Sequence, residues 1–221
     1  MKNNSNMRLV FILISVLIVN LSGIDARCQS QKIDSLNLLI SSKKFKNVNE
    51  KLEILDKLCN IYIESDLVNA EKFANEILQI SSKSNNRIFK AKANESIGRI
   101  LYLQGRIDSS IIFLKKAVEI FSELQNSTKQ LVEAKTYLAN SYRIVAKYDE
   151  SIELYNQALK YYESIDDKVW IAKILANIGS LYYSAGNQSK GEEYTLRALE
   201  LQRKTKDLQG ESVSLVNLVV F

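Results

Sequence analysis

A self-similar segment recurs along this chain every 40 or 41 residues, and few architectures can absorb a period of that length. One copy reads Ile97-Gly98-Arg99-Ile100-Leu101-Tyr102-Leu103-Gln104-Gly105, the next Leu138-Ala139-Asn140-Ser141-Tyr142-Arg143-Ile144-Val145-Ala146. A third runs Ile178-Gly179-Ser180-Leu181-Tyr182-Tyr183-Ser184-Ala185-Gly186. The segments that follow align as well, with Ala117, Ala158 and Ala198 in register and an earlier copy at Asn69 to Leu78. Within each unit small residues face one another in the pattern. Gly98, Ala139 and Gly179 mark a first helix; Ala70, Ser110, Ser151 and Gly191 mark a second. Small facing residues let two helix axes approach to about 8–10 Å. Large apolar residues fill the space between: Ile97, Leu101, Leu138, Tyr142, Ile178 and Tyr182 on first helices, Phe113, Leu154 and Tyr194 on second ones.

Composition agrees with helices. The chain has no proline and only 7 glycines in 221 residues, so both strong helix breakers are scarce. The pattern predicts helix pairs at 48–65 with 67–82, 87–104 with 107–124, 127–146 with 148–164, and 167–185 with 187–204. A leading helix is expected within 31–42, and a further one begins near 207. Gly105 and Gly186 fit the left-handed residue that ends a helix. Ala146 stands at the equivalent place, which predicts a tighter or less regular turn there.

These units resemble the tetratricopeptide repeat: an apolar-Gly pair, an aromatic beyond it, glycine at the turn, then small residues on the second helix. The resemblance covers 48–221, in units of about 48–82, 87–124, 127–164 and 167–204 with a partial one at 207–221. The 40-residue unit is similar to the longer class found in kinesin light chains and bacterial regulatory proteins. The resemblance implies an all-α, right-handed superhelical solenoid of antiparallel hairpins, with a concave groove lined by first helices. By helical phase and by that similarity, the groove residues are Arg99, Tyr102, Glu133, Tyr137, Asn140, Arg143, Lys173, Asn177, Ser180 and Tyr183. Arginine and tyrosine are enriched at interface hot spots. A protein or peptide, extended or helical, is the implied ligand. Some members of the family clamp a terminal carboxylate. Asn140 and Asn177 match two clamp asparagines, but Thr136, Val213 and Asn217 stand where basic residues would be.

The last residues, Val213 to Phe221, align with the start of a fifth first helix. Solenoids normally close with a polar cap, and an apolar end exposes the face a further repeat would cover. The expectation is a fragment of a longer protein, able to self-associate end to end.

The opposite end has another character. Lys2 and Arg8 precede an apolar run of 13 residues, Leu9 to Leu21, broken only by Ser15 and Asn20. As a helix it spans about 20 Å, short of the roughly 30 Å hydrocarbon core. Residues 1–28 therefore read as a secretory signal peptide and 29–47 as a leading segment. Cleavage after Ala26 or after Cys28 is compatible with the residues, and Arg27 argues against lipidation of Cys28. The expected location is the periplasmic or extracellular side of a bacterial inner membrane, with no membrane span unless the leader stays as an anchor.

Removing residues 1–28 lowers the formal charge from +5 to +3. Lysines and glutamates alternate along the helices as solvated ion pairs, without the one-sided basic cluster that nucleic acid requires. Cys59 falls inside an apolar pattern and reads as a small buried hydrophobe. Histidine is absent, which removes the commonest general base and metal ligand. No glycine-rich phosphate loop or zinc-spaced cysteine pair occurs, and Asp166–Asp167 and Glu192–Glu193 read as helix-start acids or solvated charges. No metal, cofactor or enzymatic activity is implied. The reading is a non-enzymatic, exported binding scaffold. Its alternative is the truncated extracytoplasmic sensor region of a histidine kinase or repeat-bearing transcriptional regulator, whose front end has a similar arrangement.

Overall fold

The computed structural model describes residues 31, 33–42 and 45–220. The expectations for the leader, including cleavage and Cys28, fall outside them. A leading helix α1 covers 33–41. Nine more follow: α2 Val48–Ile63, α3 Leu67–Lys83, α4 Arg87–Leu103, α5 Ile107–Glu123, α6 Thr128–Ile144, α7 Tyr148–Ser164, α8 Lys168–Ser184, α9 Gln188–Thr205 and α10 Leu208–Val220. No strand is present among the described residues.

Seven of the connections repeat one backbone event. Asn85, Gly105, Asn126, Ala146, Asp166, Gly186 and Lys206 all have positive φ, between 51° and 78°. At Gly105 the backbone N–H donates to Tyr102 O (3.0 Å) while Arg106 N donates to Leu101 O (2.8 Å). This pair of bonds satisfies carbonyls that a helix end would otherwise leave bare. Ala146 makes the same pair, to Arg143 O at 3.2 Å and from Lys147 N to Tyr142 O at 2.9 Å. The less regular turn expected at Ala146 is therefore not found. Two hydrogen bonds hold the left-handed residue in place without glycine's freedom. The residue after the turn often caps the next helix: Asn86, Asp167 and Asn187 accept from Phe89 N, Trp170 N and Lys190 N.

Close hairpin packing follows from the small residues. A Cβ on Gly98 would lie 2.5 Å from Leu114 Cγ, and one on Gly179 would lie 2.4 Å from Thr195 Oγ1. Ser110 Oγ donates to Gly98 O (2.7 Å) and Ser151 Oγ to Ala139 O (2.8 Å), so the same bond recurs in two consecutive repeats. Above these contacts the rings of Tyr182 and Tyr194 stack at 5.5 Å.

From α2 to α10 consecutive helices pack in order along the chain. In addition α2 touches α4, α4 touches α6, α6 touches α8, and α8 touches α10. Among α3, α5, α7 and α9 there is no such contact. Helices that meet on one side and splay on the other bend the stack. The even-numbered helices therefore line a concave face.

Candidate functional site: the concave groove

On the concave face two adjoining cavities share Tyr137, Asn140 and Gln209. The first, about 540 Å³, is bounded by Ile63, Glu64, Arg99 and Tyr102. The second, about 370 Å³, adds Trp170, Lys173, Asn177 and Val213. Gln209, at the start of α10, thus stands across the groove from the end of α2, so the array curls until its two ends face each other. A third hollow of about 240 Å³ lies farther along the same face, among Asp56, Lys92, Glu95, Arg99, Lys129 and Glu133.

Seven residues of the sequence-derived set border these cavities: Arg99, Tyr102, Glu133, Tyr137, Asn140, Lys173 and Asn177. Their environments differ. The Arg99 guanidinium lies 4.6 Å from the Tyr137 ring centroid and donates to Asn60 Oδ1 at 3.3 Å. Lys173 is exposed, its ammonium 5.2 Å from the Trp170 ring. Asn140 accepts the Tyr155 hydroxyl through its Oδ1. Burial pushes the Tyr137 and Tyr155 hydroxyls above the ordinary tyrosine range, so both stay protonated donors.

Three others serve contacts between helices. Arg143 Nη1 donates to Ser184 Oγ at 3.4 Å, and Ser180 Oγ accepts from Asn217 Nδ2 at 3.1 Å. Tyr183 does not line the groove. It is 8% exposed, and its ring occupies the space left by the missing side chain of Gly191, where a Cβ would fall 2.6 Å from Cδ1. The first-helix phase that suits Tyr102 fails for Tyr183 because α9 carries glycine where α5 and α7 carry Ser110 and Ser151. Thr136, at a clamp position, is buried and spends its hydroxyl on Val132 O at 2.9 Å.

Sequence reasoning missed the buried acid on this face. Glu95 is 8% exposed and its carboxyl is pushed up to about 7, chiefly by burial. Arg99 and Lys92 oppose that shift, and Glu133 and Asp56 add to it. Glu133 is raised by burial too. The overlooked signal was register. Glu95 occupies the position that Leu55, Thr136 and Ala176 hold in the other repeats, so an acid stands where its counterparts are uncharged. Two further residues, Asn60 on α2 and Gln209 on α10, reach the groove from helices that contributed none of the expected residues.

No helix among the described residues is long and apolar enough to cross a membrane, and none of their acidic, histidine or cysteine side chains form a group of three able to hold a metal ion. Cys59 is free and buried, its thiol pushed up to about 11 by burial.

Such a stack of 40-residue hairpins, with an inner face of first helices, defines a helical-repeat solenoid. Tetratricopeptide-repeat models match residues 131–204 and 91–123. Over those residues the chain carries tetratricopeptide repeats. No curated protein matches it in sequence. Among solved structures it resembles BtubC (BKLC) from P. vanneervenii, with 20% identity and a TM-score of 0.65, over 87% of this chain and 79% of that one. It also resembles a signal-transduction ATPase with numerous domains, carrying a tetratricopeptide-repeat sensor, from Pyrococcus horikoshii. There the identity is 18% and the TM-score 0.68, over 82% of this chain but 28% of that one. A third is a putative kinesin light chain from Podosopora anserina with nearly identical repeats (16% identity, TM-score 0.60, 82% and 92% covered). At these identities the likeness is one of fold. A repeat scaffold of this kind is consistent with a protein-binding role.

Proposed function

We propose that this chain is a non-enzymatic scaffold that holds a peptide or protein segment along its concave face, on the outer side of a bacterial inner membrane. The supporting observation is one continuous surface to which α4, α6, α8 and α10 contribute Arg99, Tyr137, Asn140, Lys173, Asn177 and Gln209. An aromatic ring, two cations and three side-chain amides suit a backbone that offers both donors and acceptors. The apolar run Leu9 to Leu21 supports export.

Trp170 is the single tryptophan of the chain and borders the second cavity, so its emission reports occupancy. A random-sequence peptide library displayed on phage, selected against the protein, is expected to yield binders that shift this emission. Lys173→Glu should weaken them by about tenfold without altering helicity, since Lys173 is exposed and its ammonium rests on the outer Trp170 ring and not in the core. Binders that neither move Trp170 nor respond to Lys173→Glu would refute the groove reading.

A sensor role in a signalling protein is the second reading, favoured by the likeness to a solved repeat domain described as a sensor. End-to-end association is supported by α10, whose Leu208, Val213, Val216 and Val219 are exposed. A sedimentation profile independent of concentration between micromolar and millimolar chain would exclude it.

A further inference from the structure

Six charged side chains line the third hollow of the concave face, and five of them have partners there. Lys92 Nζ, on α4, lies 2.8 Å from Asp56 Oδ2 of α2. Arg99, on α4, is taken up by Asn60 and by the Tyr137 ring. Lys129 Nζ sits 4.0 Å from Glu133 Oε1, both on α6. Glu95 is left over. Its carboxyl borders the hollow, is more than nine-tenths buried, and has neither a hydrogen bond nor an ion pair among the described residues.

A lone buried carboxyl is costly, because an unpaired charge in a protein interior loses hydration that nothing restores. Its register neighbours show that the fold does not require it: Leu55 and Thr136 fill the same position without charge and are buried. Thr136 also satisfies its hydroxyl within its own helix, as Glu95 does not. An acid retained at such a place, facing an open hollow on the binding face, lacks a cation in direct contact: Arg99 and Lys92 attract it, but neither forms an ion pair with it.

We propose that the hollow between α2, α4 and α6 receives a basic side chain, lysine or arginine, of the segment bound in the groove, and that Glu95 is the carboxylate that pairs with it. This rests on the groove reading and specifies its ligand chemistry. Asp56 and Glu133 flank the entering cation and help to hold it. Lys92, Arg99 and Lys129 limit the hollow to a single positive charge by repelling a second. No bond is made or broken. Pairing requires the ionised carboxylate, so a bound cation displaces the proton that Glu95 carries at mildly acid pH.

The phage-displayed library tests this when selected in parallel against the wild-type chain and Glu95→Gln at pH 8. Wild type should enrich lysine or arginine at one fixed position, and Glu95→Gln should lose that enrichment while retaining binders. For a selected synthetic peptide, replacing the basic residue with methionine should cost wild type tenfold or more and Glu95→Gln little. Wild-type affinity should also fall by up to about tenfold per unit as pH drops below 7, a slope missing from the variant. Circular dichroism of Glu95→Gln checks that the helices persist. Binders without a basic position, or a basic preference unchanged in Glu95→Gln, would overturn the proposal yet leave the groove reading intact. Binders insensitive to both Lys173→Glu and Glu95→Gln would overturn both.

Discussion

Glu95 shows how one side chain can set the pH response of a whole fold. Its carboxyl ionises at about 7 in the folded chain against 4.5 for an unperturbed one, and burial is the main cause. The folded state therefore holds this proton more tightly than the unfolded chain does. Its contribution is neutral below about pH 4.5 and becomes destabilising as pH rises towards 7. Glu95→Gln should accordingly raise stability at pH 8 by about 3 kcal/mol and leave it nearly unchanged at pH 4. Urea melts at both pH values check this. The raised Glu133 repels Glu95, so the difference between the two chains contains that coupling as well as Glu95 itself. An equal effect at both pH values would mean that glutamine merely packs better. The stability expected from Glu95→Gln is also what an acid kept for ligand binding would forgo.

At the scale of the element, the turn is the unit that repeats most faithfully. Left-handed residues recur at 85, 105, 126, 146, 166, 186 and 206, although only two are glycine. Ala146, at φ 57°, carries a steric cost that its hydrogen bonds outweigh. Ala146→Gly should thus stabilise the chain by about 0.5 to 1 kcal/mol, and Gly105→Ala should cost about 1 kcal/mol although a Cβ there meets nothing within 4 Å. Denaturant midpoints of the two single variants measure both signs. The same turns show what could be read from the chain alone. Period, hairpin order and the small facing residues were legible because Gly98, Ala139 and Gly179 recur in register. The turn at Ala146 was misjudged because glycine marks the conformation but does not cause it. Tyr183 was misplaced because its direction depends on Gly191, one helix away in space. Glu95 escaped notice because hydrophobic periodicity assigns every charge to solvent, and only comparison between repeats reveals one that is not. The groove residues from α10, such as Gln209, depend on the curl of the entire array, which no single repeat encodes.

Across the whole molecule the core is not uniform. One large cluster spans α2 to α4, built on Leu52, Leu55, Leu58, Phe73, Ile77 and Ile100. Another spans α6 to α9 around Tyr155, Tyr162, Ile174 and Ile178. Only small clusters join them: Phe121 with Ala117 and Ala134, and Leu114 with Leu138 and Tyr142. A polar contact spans the same junction, where the Ser110 and Ser141 hydroxyls lie 3.0 Å apart. Because stability in a solenoid is close to a sum over neighbour interfaces, the thinnest interface decides whether the halves unfold together. Leu114 is fully buried and packs towards both Gly98 and Leu138, so it belongs to the hairpin α4–α5 and to the junction with α6. Leu114→Ala should remove about 2 to 5 kcal/mol and, more tellingly, divide unfolding into two steps. Native-state hydrogen exchange reads this directly. Amides of α2–α5 and of α6–α9 should share one opening free energy in the wild type and take separate ones in the variant. A variant that loses stability equally at every protected amide would show that the halves are coupled through the turns and the concave contacts instead. In that case a ligand lying along the groove, touching α4, α6 and α8 at once, would add little cooperativity; if the Leu114 junction is the weak link, the same ligand should restore the single transition.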